Sequence, residues 1–66
     1  MRDSARIERI TNLLAYYWLK VPDWRFGQII ENIKTFYGKT DLFYIEDDQF
    51  EEMLKVFFEA NIDSIR

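Results

Sequence analysis

The sequence predicts an all-α domain, a small three-helix bundle with helices at about residues 4–20, 24–37 and 48–60 and an extended connector at 39–47. Three stretches carry apolar residues at helical spacing with polar residues between them, the pattern of helices that each bury one face. Pro22 and Gly38 separate these stretches, and both residue types interrupt helices. The chain of 66 residues is short enough to form one domain, residues 1–66.

Helix one is expected to begin at Asp3 or Ser4, since either side chain can cap a helix. It should end near Lys20, because the residue before Pro22 disfavours helical angles. Its core face spans an arc of roughly 100° and consists of Ile7, Ile10, Leu14, Tyr17, Trp18 and Val21. The short link to the next helix predicts that helices one and two pack against each other as a hairpin.

Helix two is interpreted as the central helix of the bundle. Pro22 suits the position just before a helix, and Asp23 can cap its first turn, which places the start near Trp24. Gly38 is expected to end the helix in the left-handed conformation. The core face covers roughly 120° and consists of Phe26, Ile29, Ile30, Ile33, Phe36 and Tyr37.

The connector contains the apolar run Leu42-Phe43-Tyr44-Ile45, which has no strand partner elsewhere in the chain. Because an isolated short strand is not stable, we expect an extended or single-turn segment whose side chains plug the open end of the core. Pairing of this segment with its copy in a dimer remains an alternative.

Helix three should be capped by Asp47 or Asp48, and Asp48 and Glu51 have the spacing of a capping box. The resulting core is predicted to consist of Ile7, Ile10, Leu14, Tyr17, Trp18, Phe26, Ile29, Ile30, Ile33, Phe36, Phe50, Met53, Leu54 and Phe57.

Composition argues against catalysis and cofactor chemistry. The chain has no cysteine and no histidine, and its two serines lie near the ends, at Ser4 and Ser64. These absences remove disulfides, thiolate metal sites and the most common general base. We therefore expect a non-enzymatic protein with no cofactor and no metal. The longest apolar run is too short to span a bilayer, which predicts a cytoplasmic protein that does not contact membranes.

Charge is divided unevenly along the chain. Residues 1–39 carry seven cations against four acids, whereas residues 40–66 carry two against eight. A basic stripe on helix one comprises Arg2, Arg6, Arg9 and Lys20, with Leu13 and Tyr16 between them, and an acidic patch comprises Glu46, Asp47, Asp48, Glu51 and Glu52. The two halves should attract each other. Two alternatives are a nucleic-acid-binding accessory protein that uses the stripe, and an inhibitor of a nucleic-acid enzyme whose acidic patch imitates phosphates.

A candidate protein-interaction surface lies on the polar side of helix two and beside the main stripe of helix one. It comprises Trp24, Gln28 and Glu31 on helix two and Tyr16 and Leu19 on helix one. An exposed tryptophan beside an amide is typical of an interface, although Trp24 can equally fold back against Val21 or against Leu42 and Phe43. The surplus of apolar surface favours a homodimer.

Part of the chain, roughly residues 14–54, resembles a group of small bacterial and phage-associated proteins of no established function. The resemblance rests on Trp18, Pro22-Asp23, Arg25, Gly27-Gln28, Ile30 and Asn32, followed by the segment Asp41 to Asp48 and by Phe50. Trp24 and Phe26 stand where smaller aliphatic residues are expected in that group. The resemblance implies a phage or mobile-element context, in which short acidic proteins often bind a host or phage protein. The leading hypothesis is a non-enzymatic protein-interaction module with an unidentified protein partner.

Overall fold

The structure, a computed structural model, describes the backbone of residues 3–65 and the side chains of residues 3–61. Three α-helices follow one another: α1 (Ala5–Trp18), α2 (Phe26–Phe36) and α3 (Asp47–Ile65). The described residues contain no strand. The predicted all-α three-helix bundle is therefore confirmed, with α1 and α2 shorter than expected and α3 longer.

The central helix is α3 and not α2. Both α1 and α2 pack against α3, whereas within residues 3–65 α1 and α2 do not pack against each other along their lengths. The prediction of an α1–α2 hairpin is thus wrong. The link of residues 19–25 explains the difference, because it forms successive turns through Val21 N to Trp18 O (2.9 Å) and Trp24 N to Val21 O (3.0 Å). These turns separate the two helices instead of folding one back on the other.

The start of α2 differs from the prediction in both position and cap. The indole Nε1 of Trp18 donates to the carbonyl oxygen of Trp24 at 2.8 Å. In a helix starting at Trp24 this oxygen would accept from the Gln28 amide, but that amide donates to Arg25 O at 2.9 Å. The helix begins two residues later, after the extended residue Arg25. The cap is Gln28, whose Oε1 accepts from the Arg25 amide at 2.8 Å, and not Asp23.

Two helix ends follow the local rules. At the start of α1, Asp3 Oδ1 accepts from the Ala5 amide at 3.0 Å, so Asp3 rather than Ser4 supplies the cap. At the end of α2, Gly38 adopts φ +65°, as predicted. Its amide donates to Thr35 O at 3.0 Å and the Lys39 amide donates to Lys34 O at 2.9 Å, the two bonds of a Schellman motif.

The start of α3 does not form the predicted capping box. Asp48 Oδ1 accepts from the amide of Gln49 at 2.9 Å. The carboxylate of Glu51 is directed toward α1, where it accepts from Arg9 Nε at 2.9 and 3.1 Å. A tertiary ion pair has therefore replaced the local interaction that the spacing predicts.

The core differs in part from the predicted one: Val21 and Phe58 are buried in addition, and several predicted residues are only half-buried or exposed. Its buried residues are Tyr17, Val21, Ile29, Ile33, Met53, Leu54, Phe57 and Phe58. The Tyr17 and Phe58 rings stack in parallel with centroids 4.9 Å apart, which joins α1 to α3. Three predicted core residues, Ile7, Phe26 and Phe36, are exposed. Because α1 and α2 do not pack along each other, the bundle has two helix interfaces instead of three and cannot cover every apolar side chain.

The connector forms a single turn at residues 42–45. The Ile45 amide donates to Leu42 O at 3.1 Å, and Asp41 Oδ1 accepts from the Phe43 amide at 3.2 Å. Leu42 and Ile45 pack against the core, as expected. Phe43 and Tyr44 point into solvent, so the prediction that all four side chains plug the core is wrong for these two.

Candidate interaction surfaces

An open groove lies beside the N-terminal half of α2 and is lined by several of the candidate interaction residues. It has a volume of about 770 Å³ and is lined by Trp24, Arg25, Gly27, Gln28, Glu31 and Asn32. This set includes three of the five candidate interaction residues. We refer to it as the α2 groove.

Trp24 forms part of the groove and is also anchored in the core. Its ring lies 6.4 Å from the Phe57 ring and 6.3 Å from the Phe58 ring, and its side chain is half-buried. The tryptophan has therefore folded back over the bundle, but against α3 and not against Val21 or the connector. One part of the indole is therefore packed against α3, while another part lines the groove.

Two hydrogen bonds fix the backbone at the mouth of the α2 groove. Trp18 Nε1 holds the carbonyl oxygen of Trp24, and the Gln28 side chain holds the Arg25 amide, both at 2.8 Å. Glu31 forms an ion pair with Lys34 Nζ at 3.0 Å, one turn along the same helix. Gly27 lacks a side chain here, and a Cβ atom at this position would meet nothing within 4 Å. The groove is open at Gly27 because the helix presents bare backbone there.

The remaining candidates, Tyr16 and Leu19, lie on a separate surface of α1. Leu19 is 77% exposed and borders an apolar hollow of about 360 Å³ together with Ala15, Trp18 and Pro22. Tyr16 is exposed, and Lys20 Nζ lies 4.6 Å from the centre of its ring. The structure therefore divides the predicted interaction residues between two surfaces.

Two cations of the basic stripe form ion pairs with two carboxylates of the acidic patch. Arg6 Nε binds Asp47 Oδ2 at 2.5 Å, and Arg9 Nε binds Glu51 Oε1 at 2.9 Å. The hydrogen bond and the charge of Glu51 raise the pKa of the Arg9 guanidinium above its ordinary value. Arg2 lies outside the described residues. The attraction predicted between the two halves of the chain is thus realised as contacts between α1 and α3.

Three other side chains of the acidic patch are exposed to solvent. Asp48 and Glu52 are exposed, as is Glu46. No group of three or more Asp, Glu, His or Cys side chains within the described part of the chain is arranged to hold a metal ion. Over the same residues, no helix combines the length and apolar character needed to cross a bilayer.

The surface that sequence reasoning missed is the turn at residues 42–45. Phe43 is 84% exposed and Tyr44 is 85% exposed, and their rings meet edge to face with centroids 4.9 Å apart. The run of four apolar residues favours burial of all four, so hydrophobicity alone is misleading here. The signal that could have revealed the exposed pair is Asp41, a turn-forming residue directly before the apolar run, whose Oδ1 accepts from the Phe43 amide. In the turn closed by the Ile45 amide on Leu42 O, Phe43 and Tyr44 are the two central residues. We refer to Phe43 and Tyr44 as the aromatic turn.

Comparison of the chain with protein-family models, with curated proteins and with solved structures gives no match.

Proposed function

We propose that this chain is a non-enzymatic protein-interaction module that binds a segment of another polypeptide in the α2 groove. The observation that supports this proposal most directly is the gathering of Trp24, Gln28 and Glu31 around one open concave surface. Partly buried tryptophans surrounded by polar groups are typical binding hot spots. The rest of the groove, including Arg25 and Asn32, supplies hydrogen-bond donors and acceptors at its rim.

The groove is preorganised for binding. Trp24 is held by rings of α3 on one side and through its carbonyl oxygen on the other. A side chain already fixed in position loses little conformational entropy when a partner binds. The groove therefore suits an extended segment carrying an aromatic side chain that stacks on the accessible part of the indole.

The proposal includes self-association and a cytoplasmic location. Exposed apolar side chains on α1 and in the connector, such as Leu19 and Phe43, exceed what an isolated monomer of this size needs to expose. A homodimer would cover part of that surface. The absence of cysteine is compatible with a reducing compartment, and the sequence resemblance favours a phage or mobile-element context.

The two nucleic-acid alternatives receive less support from the geometry. Arg6 and Arg9 are engaged by Asp47 and Glu51, which reduces both the free positive charge of the stripe and the free negative charge of the patch. Few unpaired cations give a weak counterion-release contribution to binding. Titration with short single-stranded and duplex DNA at low salt tests the first alternative, and binding there would favour it over the protein-interaction module.

The experiment that tests the proposed function is selection from a random peptide library on the wild-type protein, with two variants at Gly27 as counter-targets. Gly27→Glu places a long side chain into the α2 groove, whereas Gly27→Ala adds one methyl group where nothing lies within 4 Å. We expect selected peptides to contain an aromatic residue, to bind wild type and Gly27→Ala equally, and to lose at least tenfold in affinity for Gly27→Glu.

The absence of any selected peptide would contradict the proposal, as would peptides that bind the Gly27→Glu variant as tightly as wild type. Circular dichroism of both variants provides the control for folding. Since glutamate and alanine are good helix formers, neither change should reduce helix content.

A further inference from the structure

We infer that the α2 groove is occupied by a second copy of this chain, with the aromatic turn of each protomer inserted into the α2 groove of the other. This inference depends on the proposed function, because it requires the groove to be a polypeptide-binding site. It goes further by naming the occupant and the two residues that enter the groove, Phe43 and Tyr44.

The aromatic turn has the properties of an inserting element. Leu42 and Ile45 anchor its two ends in the core, and hydrogen bonds to Leu42 O and Asp41 Oδ1 close it. Phe43 and Tyr44 are exposed together, with their rings in edge-to-face contact. Two large aromatic side chains exposed side by side on an anchored turn lose little entropy on binding and bury a large apolar area.

The α2 groove matches this pair in size and chemistry. Its volume of about 770 Å³ has room for two rings. Trp24 offers an aromatic surface for stacking, and the carboxylate of Glu31 and the amide of Asn32 can accept from the Tyr44 hydroxyl. The groove is open at Gly27, where no side chain blocks entry.

Charge supports a second copy as the occupant. Arg25 lines the groove and forms no ion pair within the described part of the chain, and Asp41, which precedes the aromatic turn, forms none there either. Insertion of the turn would bring an unpaired carboxylate of one protomer toward an unpaired guanidinium of the other. The same pairing is made twice in a symmetric dimer.

The order of elements is compatible with twofold symmetry. The groove lies at the N-terminal half of α2, and the aromatic turn follows the C-terminal end of the same helix. Two α2 helices placed antiparallel about a twofold axis therefore bring each turn toward the other groove.

The test is a complementation experiment with two variants. Phe43→Ser/Tyr44→Ser removes the aromatic turn and retains the groove, whereas Gly27→Glu fills the groove and retains the turn. Light scattering behind size exclusion, over a range of micromolar concentrations, should show a dimer for wild type and for the control Gly27→Ala. Each of the two test variants alone should show dimerisation weakened at least tenfold.

Mixing the two variants should restore one turn-to-groove contact. With the Phe43→Ser/Tyr44→Ser protein labelled with ¹⁵N, addition of unlabelled Gly27→Glu protein should shift the Trp24 indole and Gly27 amide signals. Addition of unlabelled Phe43→Ser/Tyr44→Ser protein should leave them unchanged. The labelled protein's own amide spectrum shows directly that it is folded.

A wild-type protein that is monomeric throughout this range would overturn the inference, as would an unchanged dimer after removal of the aromatic turn. Loss of the dimer in Leu19→Ser alone would also overturn it, because it would assign self-association to the α1 surface. The peptide selection separates this inference from polypeptide binding by the α2 groove. Peptides that bind the groove while the copies do not associate would support the groove as a polypeptide-binding site and reject a second copy as its occupant.

Discussion

Replacement of Phe58 by leucine should lower the free energy of unfolding by about 1–2 kcal/mol. Phe58 is 1% exposed, its ring stacks on Tyr17 at 4.9 Å, and it also contacts the rings of Phe57 at 5.2 Å and Trp24 at 6.3 Å. Leucine retains most of the apolar volume but loses the ring contacts. A domain of this size has a total stability of roughly 3–10 kcal/mol, so alanine, which costs about 3–5 kcal/mol, would unfold much of the protein.

The assay is urea denaturation followed by far-ultraviolet circular dichroism, at a concentration below that of self-association. The midpoint should fall while the slope with denaturant stays constant, and the melting temperature should fall by about 5–15 °C. Phe43→Leu is the matched control, since the same change at a ring that is 84% exposed should alter stability by less than about 0.5 kcal/mol. Equal losses for both variants would refute the assignment of the core.

Three further predictions address the helix ends, the ion pairs and the buried tyrosine. Gly27→Ala should stabilise the domain by about 0.5–1 kcal/mol, because alanine favours the helix more than glycine does. Gly38→Ala should destabilise it by about 1 kcal/mol, because φ at this position is +65°. Melting temperatures that shift in the same direction for the two variants would contradict these predictions. Arg9→Gln should lower the melting temperature at low salt, because it removes the ion pair with Glu51. The difference in melting temperature between wild type and variant should shrink at high salt, where screening weakens the pair in wild type. A difference that does not depend on salt would exclude this explanation. Burial raises the pKa of the Tyr17 hydroxyl, with a smaller contribution from nearby negative charge. The folded state therefore holds this proton more tightly, and stability should be complete below the ordinary pKa of about 10 and decline as the pH rises above it. Urea midpoints measured from neutral to alkaline pH should show this decline, and Tyr17→Phe should reduce it.

The helix ends show which local signals are reliable. Gly38 ends α2 as predicted, because a left-handed residue followed by two backbone hydrogen bonds depends only on neighbouring residues. Asp23 does not cap α2, because the helix begins at Phe26, two residues beyond the expected start, and the Gln28 side chain accepts from the Arg25 amide. Similarly, Glu51 meets Arg9 on α1 instead of completing a capping box. At Glu51 the local rule failed because a side chain from another helix binds the same carboxylate.

The α2 groove was predictable in part. The positions of Trp24, Gln28 and Glu31 on the polar side of α2 follow from helical spacing, and the structure places all three around the groove. Spacing could not show that Trp24 would also pack against Phe57 and Phe58, because those residues belong to another helix. The exposure of the aromatic turn could not be predicted from the sequence either. Hydrophobicity indicates that a side chain tends to be buried, but it does not show whether a helix lies close enough to cover it.

The sequence by itself determined three amphipathic helices, the end of α2 at Gly38, the lack of cysteine and histidine chemistry, and the attraction between a basic and an acidic half. These properties arise from interactions within a few residues or from composition. Only the tertiary structure decided that α3 is the central helix, that α1 and α2 diverge, and that Phe43 and Tyr44 remain in solvent. The physical reason is that amphipathic faces specify which side of a helix is buried, but several arrangements bury similar faces. The choice among them depends on ring packing and ion pairs between residues far apart in the chain.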